Sequence, residues 1–590
     1  MIQTGVRVLR FGFLACLTVL FSATSGAVRA ADFDGVELLQ PQGLNQAGIY
    51  ALRQMDPSLT GSGVKFAVIC RSYMYDGGNF PRNDYRPNTS HSCLGSAQFS
   101  FSDCFDTPAE VSPHSTAICS ILFGEDRDAF SSQLGNFIYQ GAAPAAEADL
   151  YEFWHFLISK VHTHADPAVD IVTAGIGTQF EDWWTRGIES LAEHYGVVVV
   201  AAIGNGSNAY HPPLYPGAGA NAIGVGVVNS VNTQNIATNL AHFSLAYPQH
   251  STIGPTTDGR CKPDIIAPGN CLAASADDPA LYELTGNWSS FSTPVVAGAA
   301  GLLVQKAKQD AGLALAVSPD GGNCVIKAIL MNSAKKLPYW HRGQLETADD
   351  HVAPLDYVQG AGMLNAVGAY RQLTAGRGEP GDVSPTGWDL NRLGRDAALA
   401  NVYRITVEEP AGKCITATVV WNRHYSRVPP FDPLPEKDGN LRLDLWVVEP
   451  DTSAEDPRRD YSDSEVDNVE HIHFHCRTVA AHATYELVVS YSDLEGALPA
   501  DGSLRYAVAW HVGVSQGSDN IFWHDVNGDG VVDERDIAVV LDNHRAGVES
   551  PESYQIGDVN TDGTIDVSDL QILLDNRNRQ ADWLADGESK

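Results

Sequence analysis

The chain has 590 residues, too many for one hydrophobic core, and its 44% hydrophobic and 19% charged residues exclude global disorder in favour of several folded domains. A formal net charge of −34 repels nucleic acid and anionic membranes, and it suits a protein that binds calcium.

Arg7 and Arg10 precede an apolar run over residues 11–21, and small residues then lead to Val28-Arg29-Ala30. That layout predicts a secretory signal over residues 1–30, cleaved after Ala30. The run is shorter than the roughly 20 apolar residues that cross a bilayer, and no other segment is long and apolar enough. The mature chain is therefore expected outside the cytoplasm (secreted, periplasmic or at the cell surface), with no membrane contact after signal removal. Cys16 leaves with the signal, which leaves Cys70, Cys93, Cys104, Cys119, Cys261, Cys271, Cys324, Cys414 and Cys476. Cys93 with Cys104 and Cys261 with Cys271 are close enough in sequence to pair in an oxidising compartment, and the odd count leaves at least one thiol over.

Residues 31–375 alternate apolar strands with helical stretches. The runs at 64–69 and 196–202 read as strands buried on both faces, and 293–307 reads as an apolar helix with Pro294 in its first turn. This predicts an α/β domain with a parallel sheet flanked by helices. A Gly/Pro-rich passage predicts a linker over 376–400. Short strand-like segments divided by turn residues then predict a β-sandwich or jelly-roll domain over 401–515. Residues 517–580 hold two copies of one motif in a small α-helical module, and 581–590 form a tail.

Four segments of the α/β region carry chemistry, in this order: Gly61 to Cys70; His114 to Ile121; Ala201-Ala202-Ile203-Gly204-Asn205-Gly206; and Ser289 to Gly298. Together they resemble the subtilisin-like (subtilase) serine peptidases. The resemblance implies that Ser290 is the nucleophile, with His114 as the base that takes its proton. It also implies that Asn205 donates its amide to the oxyanion, where one such donor is worth about 3–4 kcal/mol in this family. Gly175, Ile176 and Gly177 resemble the strand that pairs with an extended polypeptide substrate.

Two departures stand out. The family's triad aspartate position holds Cys70, and the glycine two residues before the nucleophile is Trp288. The triad acid orients the histidine and stabilises its charged form, and a thiol with an ordinary pKa of about 8.5 does neither well. Asp76, Asp103 and Asp106 are the loop carboxylates available to support His114 instead. Two functions follow: a serine endopeptidase weakened or altered at the acid position, or a catalytically inactive subtilase fold serving as a binding or structural module.

Residues 401–513 resemble the C-terminal jelly-roll domain of some large subtilases, which implies a packing partner for the first domain. His471, His473 and His475 alternate along one strand and are expected on one half-exposed face, short of a zinc site for want of a fourth ligand.

The two C-terminal copies are loops of EF-hand type. Asp525, Asn527, Asp529, Val531, Asp533 and Asp536 occupy positions 1, 3, 5, 7, 9 and 12 of the first, with Gly530 at position 6 to permit the sharp turn. Asp558, Asn560, Asp562, Thr564, Asp566 and Asp569 repeat the pattern in the second. Hard oxygen donors on a short, sharply turned segment suit calcium, so two Ca²⁺ ions are expected. The final Asp and the missing first helix resemble type I dockerins, which implies a cohesin-type domain as partner.

Overall fold

Runs such as Val198-Val199-Val200-Ala201-Ala202 can face water on neither side, and the structure, a computed structural model, covers them with helices on both faces. It describes residues 39–70, 74–75, 81–82, 84–103, 110–132, 134–206, 212–228, 251–337, 340–344, 348–394, 399–435, 437–449, 457–476, 478–492, 503–514, 532–544, 559, 565–575 and 577–578. The expected signal lies outside them. Among them no single helix is long and apolar enough to cross a membrane.

Seven parallel strands form the first sheet: β1 (Lys65–Cys70), β2 (Gln98–Ser102), β3 (Glu147–Glu152), β4 (Ile171–Ala174), β5 (Val198–Ala202), β6 (Ala222–Val228) and β7 (Ile265–Pro268). Their order is β7-β6-β5-β4-β1-β3-β2. Helices α1 (Pro113–Phe123) and α3 (Ser289–Gln309) cover one face, and α2 (Trp183–Tyr195) covers the other. Alternation on β1 shows the division. Ala67 and Ile69 pack with Trp184, Ile188 and Leu191 of α2, whereas Phe66 turns away to meet Phe123 of α1 with ring centroids 5.4 Å apart. Helices α4 (Gly322–Asn332) and α5 (Ala366–Ala375) complete the domain.

The passage expected as a linker over 376–400 holds strands. β8 (Gly381–Val383) and β9 (Thr386–Gly394) are followed by β10 (Ala400–Glu408), β11 (Lys413–Val420), β12 (Leu441–Glu449), β13 (Arg458–Ser462), β14 (Val469–Cys476), β15 (His482–Tyr491) and β16 (Ser503–Val514). β9 pairs with β16 along its whole length, so the sandwich begins before residue 401. The glycines that suggested a linker, Gly376 and Gly381, turn the chain at positive φ on the way into β9, whose Trp388, Leu390 and Leu393 are buried. A five-stranded sheet, β8-β10-β15-β12-β13, faces a four-stranded one, β9-β16-β11-β14, across one core that includes Tyr403, Ile405, Ile415, Val419 and Trp510.

The outer face of the four-stranded sheet lies on α4 and α5. Thr418 donates to Asn332 at 3.0 Å, Gln372 donates to the Trp510 carbonyl at 2.9 Å, and Lys336 donates to Nε2 of His471 at 2.8 Å. Of the histidine face expected to be half-exposed, His471 is wholly buried under the first domain, whereas His473 and His475 are half-buried. Cys261 and Cys271, considered as a disulfide pair, are both thiols, and Cys104 falls outside the described residues.

Asp467 joins the two domains by accepting from the Cys261 N–H at 2.8 Å and from Ser464 at 2.9 Å. Burial pushes its carboxyl up to about 6. A carboxyl raised in the folded state holds its proton longer there than in the unfolded chain, so its ionisation costs stability as pH rises from about 4 to about 6. Asp467→Asn should therefore gain on the natural protein across that window, by about 3 kcal/mol at most. Denaturant melts at pH 4 and pH 7 measure the difference, and an equal gap at both pH values would contradict it.

Candidate functional site

Each candidate catalytic residue stands at the C-terminal end of the parallel strands or on a helix that begins there. His114 is the second residue of α1, whose start is set by Pro113 and by the Ser112 side chain accepting from the Ser115 N–H at 3.0 Å. Ser290 is the second residue of α3 and is 8% exposed. This helix begins at Ser289, earlier than the expected 293, with Pro294 inside it. The nucleophile candidate is therefore in the first turn, where backbone N–H groups are unpaired by the helix and the dipole favours negative charge.

Gly175, just past β4, brings the two together. Its carbonyl accepts from Ser290 Oγ at 3.0 Å. A Cβ on Gly175 would come within 3.1 Å of Cε1 and 3.7 Å of Nε2 of His114, so the imidazole occupies the space a side chain would need. The His114 ring also lies 5.7 Å from that of Phe291, the residue after Ser290. Ile176 and Gly177 continue from Gly175. Thr178 then bonds Tyr215 in both directions, N–H to carbonyl at 2.9 and 2.8 Å, which anchors the far end of the segment.

Asn205 follows β5 after a turn at Gly204, where φ is +114°. Its Oδ1 accepts from the Ser289 N–H at 2.7 Å and from Ser289 Oγ at 2.9 Å, while the Gly204 N–H donates to that same hydroxyl at 3.2 Å. The carbonyl end of the Asn205 side chain is thus pinned beside Ser290, and the amide end is left as the group that faces away from Ser289. The clamp by Ser289 was not read from the sequence, although a hydroxyl directly before the candidate nucleophile was its visible sign. Trp288, in place of glycine, caps α3 without a side-chain bond, folds its indole over Gly286 and remains 43% exposed.

Cys70 ends β1, is 2% exposed and stands in register with Glu152 of β3. Its influence reaches Cys119 on α1, whose thiol is pushed far up, first by burial and then by Cys70. Of the loop carboxylates considered as support for His114, Asp76 and Asp106 fall outside the described residues. Asp103 accepts from Tyr85 Oη at 2.7 Å and from Arg86 at 3.1 Å.

In the C-terminal repeat, α6 (Glu534–Asp542) and α7 (Val567–Asp575) start in the same way. Asp536 Oδ2 accepts from the Asp533 N–H, and Asp569 Oδ2 accepts from the Asp566 N–H, both at 2.8 Å. Asp533 and Asp566 in turn accept from the N–H two residues on, both at 2.7 Å. The last carboxylate of each loop is wholly buried, and Val532, Val540, Val559, Ile565 and Leu573 form a shared core. Carboxylates drawn inward at the same place in both halves fit a hard cation with oxygen ligands. The other eight candidate ligands, Asp525, Asn527, Asp529, Val531, Asp558, Asn560, Asp562 and Thr564, fall outside the described residues.

Residues 96–368 match the subtilase family, and residues 523–576 match the dockerin type I domain. Serine protease AprX of Bacillus subtilis is 26% identical over 317 residues, covering 47% of this chain and 63% of that protein. Pyrolysin of Pyrococcus furiosus is 28% identical over 205 residues, covering 32% of this chain and 13% of its own. Thermitase of Thermoactinomyces vulgaris is 24% identical over 196 residues, covering 32% and 57%. The chain thus spans less than two thirds of the length of each of these relatives.

Proposed function

From a chain that carries a subtilase domain and a dockerin type I domain, we propose an exported serine endopeptidase that hydrolyses extended polypeptide and is held in an extracellular assembly through its dockerin. The convergence of Ser290 and His114 on Gly175 carries this reading. Ser290 Oγ attacks the scissile carbonyl while His114 Nε2 takes its proton. The oxyanion is met by the Asn205 amide and by backbone N–H groups of the first turn of α3. Gly175, Ile176 and Gly177 pair with the substrate backbone, and their missing or small side chains let an extended strand approach. The dockerin loops take two calcium ions through the twelve residues named above and dock to a cohesin-type domain.

The competing reading, an inactive subtilase fold kept as a binding module, is favoured by Cys70 in the acid position. A fluorophosphonate decides between them, because it forms a covalent bond only with an activated serine. Labelling of the secreted protein that disappears in Ser290→Ala supports the peptidase. Absence of labelling, together with absence of Ser290-dependent peptide cleavage, leaves the binding module.

A further inference from the structure

Glu152 is a buried carboxylate that the mechanism above does not use. It ends β3 directly beside Cys70, and neighbouring strands run about 4.8 Å apart. Both side chains leave the sheet on one face. Ala67 and Ile69 of β1 and Tyr151 of β3 all pack in the cluster with α2, so alternation sends Cys70 and Glu152 to the opposite face. That is the face on which α1 lies, with Phe66 of β1 against Phe123. The first turn of α1, which carries His114, is tied to this end of the sheet. The Ser112 N–H donates to the Arg86 carbonyl at 2.8 Å, and the short strand Asp84–Arg86 packs on β1, β3 and α1.

The state of the carboxylate is unusual. Glu152 is 0% exposed, and its Oε2 accepts from the His155 N–H at 2.9 Å as the cap of the short helix Phe153–Phe156. Its Oε1 is buried with no hydrogen-bond partner. Buried acceptors are nearly always satisfied in native proteins, and an exception calls for a functional explanation. The charged groups facing it are Asp103 and His155, and Asp103 is itself paired with Arg86. Burial raises the Glu152 carboxyl and Asp103 adds to the rise, against the N–H groups of Trp154 and His155. Such a group gains from a cation placed next to it.

We propose that Glu152 supplies the carboxylate of the triad from the neighbouring strand: its Oε1, without a hydrogen-bond partner in this structure, turns past the small Cys70 thiol to accept from Nδ1–H of His114 as the imidazole takes up the Ser290 proton. Glutamate is one methylene longer than aspartate, which covers part of the one-strand offset. The thiol at position 70 then goes with the glutamate at 152, since an aspartate at position 70 would set a second carboxylate beside Glu152 on the same buried face. As Oγ of Ser290 bonds to the carbonyl carbon, its proton moves to Nε2. The imidazolium so formed keeps its Nδ1 proton shared with a Glu152 that stays ionised, and later gives the Nε2 proton to the leaving amine. Glu152 is thus a positioning residue acting through His114, and this assignment rests on the serine peptidase reading.

The test uses the full-length secreted protein, a chromogenic peptide and the fluorophosphonate. If Ser290 is neither labelled nor required, it is the peptidase reading that fails. With Ser290 labelled, Glu152→Gln should lower kcat about 10²- to 10⁴-fold with little change in KM, and it should shift the acid limb of the kcat–pH profile, which belongs to His114, to lower pH. Adding Cys70→Asp to Glu152→Gln should restore kcat, which a merely structural role for Glu152 would not do. Cys70→Ala, which leaves the Glu152 cap intact, should keep kcat within about threefold. The proposal is overturned if Glu152→Gln leaves kcat and its acid limb unchanged, if Cys70→Asp fails to rescue it, or if Cys70→Ala alone costs more than about tenfold.

Discussion

Cys70→Asp in the natural background is expected to raise kcat for peptide hydrolysis about tenfold or more, and Ser290→Ala in the same chain should return it to background. An aspartate at the end of β1 would stand on the face of the sheet on which α1 lies, at the position that the resemblance assigns to the triad acid. Replacing the acid of a Ser-His-Asp triad costs about 10⁴ in turnover, and that figure is the ceiling on the gain. The gain is smaller than the ceiling to the extent that Glu152 already serves. With aspartate at 70 the two neighbouring carboxyls cannot both ionise easily on a buried face, so one keeps its proton. Glu152, already raised by burial, is the one that stays protonated. In the Cys70→Asp background, Glu152→Gln should therefore change kcat by less than about threefold, whereas in the natural background it costs orders of magnitude. Such non-additivity is the signature of two residues filling one role. Additive effects at the two positions would show that they act separately.

The candidate catalytic residues could be picked out of the sequence because each sits in a local pattern. Ser290 and His114 each open a helix, and Asn205 follows just past the end of β5, so their places follow from short motifs in a fixed order. What the sequence hid depends on register. Glu152 lies 82 positions after Cys70 in the chain and becomes its neighbour only when β3 pairs with β1 in parallel, which no local signal announces. The Ser289 clamp on Asn205 likewise joins residues far apart in the chain, although each lies in a motif that was read. Gly376 and Gly381 looked like linker residues because positive-φ turns and flexible passages share one composition. His471 was expected at a half-exposed surface because alternation tells which side chains share a face and not what covers it.

Removing calcium from the full-length Ser290→Ala chain should open residues 517–580 to an added protease while leaving the rest of the protein resistant. Each loop crowds several carboxylates onto twelve residues, and in the absence of a cation their mutual repulsion opposes closure. The shared core of Val532, Val540, Val559, Ile565 and Leu573 is small, too small to hold two nine-residue helices against that repulsion. Calcium should therefore order both halves together, since the core takes residues from each. Protection against cleavage within 517–580 should increase at least about tenfold from chelator to millimolar calcium, following the stabilisation expected of a ligand in excess over its dissociation constant. Asp525→Ala with Asp558→Ala should abolish that protection, because it removes the proposed first ligand of both loops. Either substitution alone should weaken protection of both helices, because half of the core cannot hold without the other half. Cleavage at the same rate with and without calcium, or single variants that expose only their own helix, would contradict a cooperative calcium-dependent module.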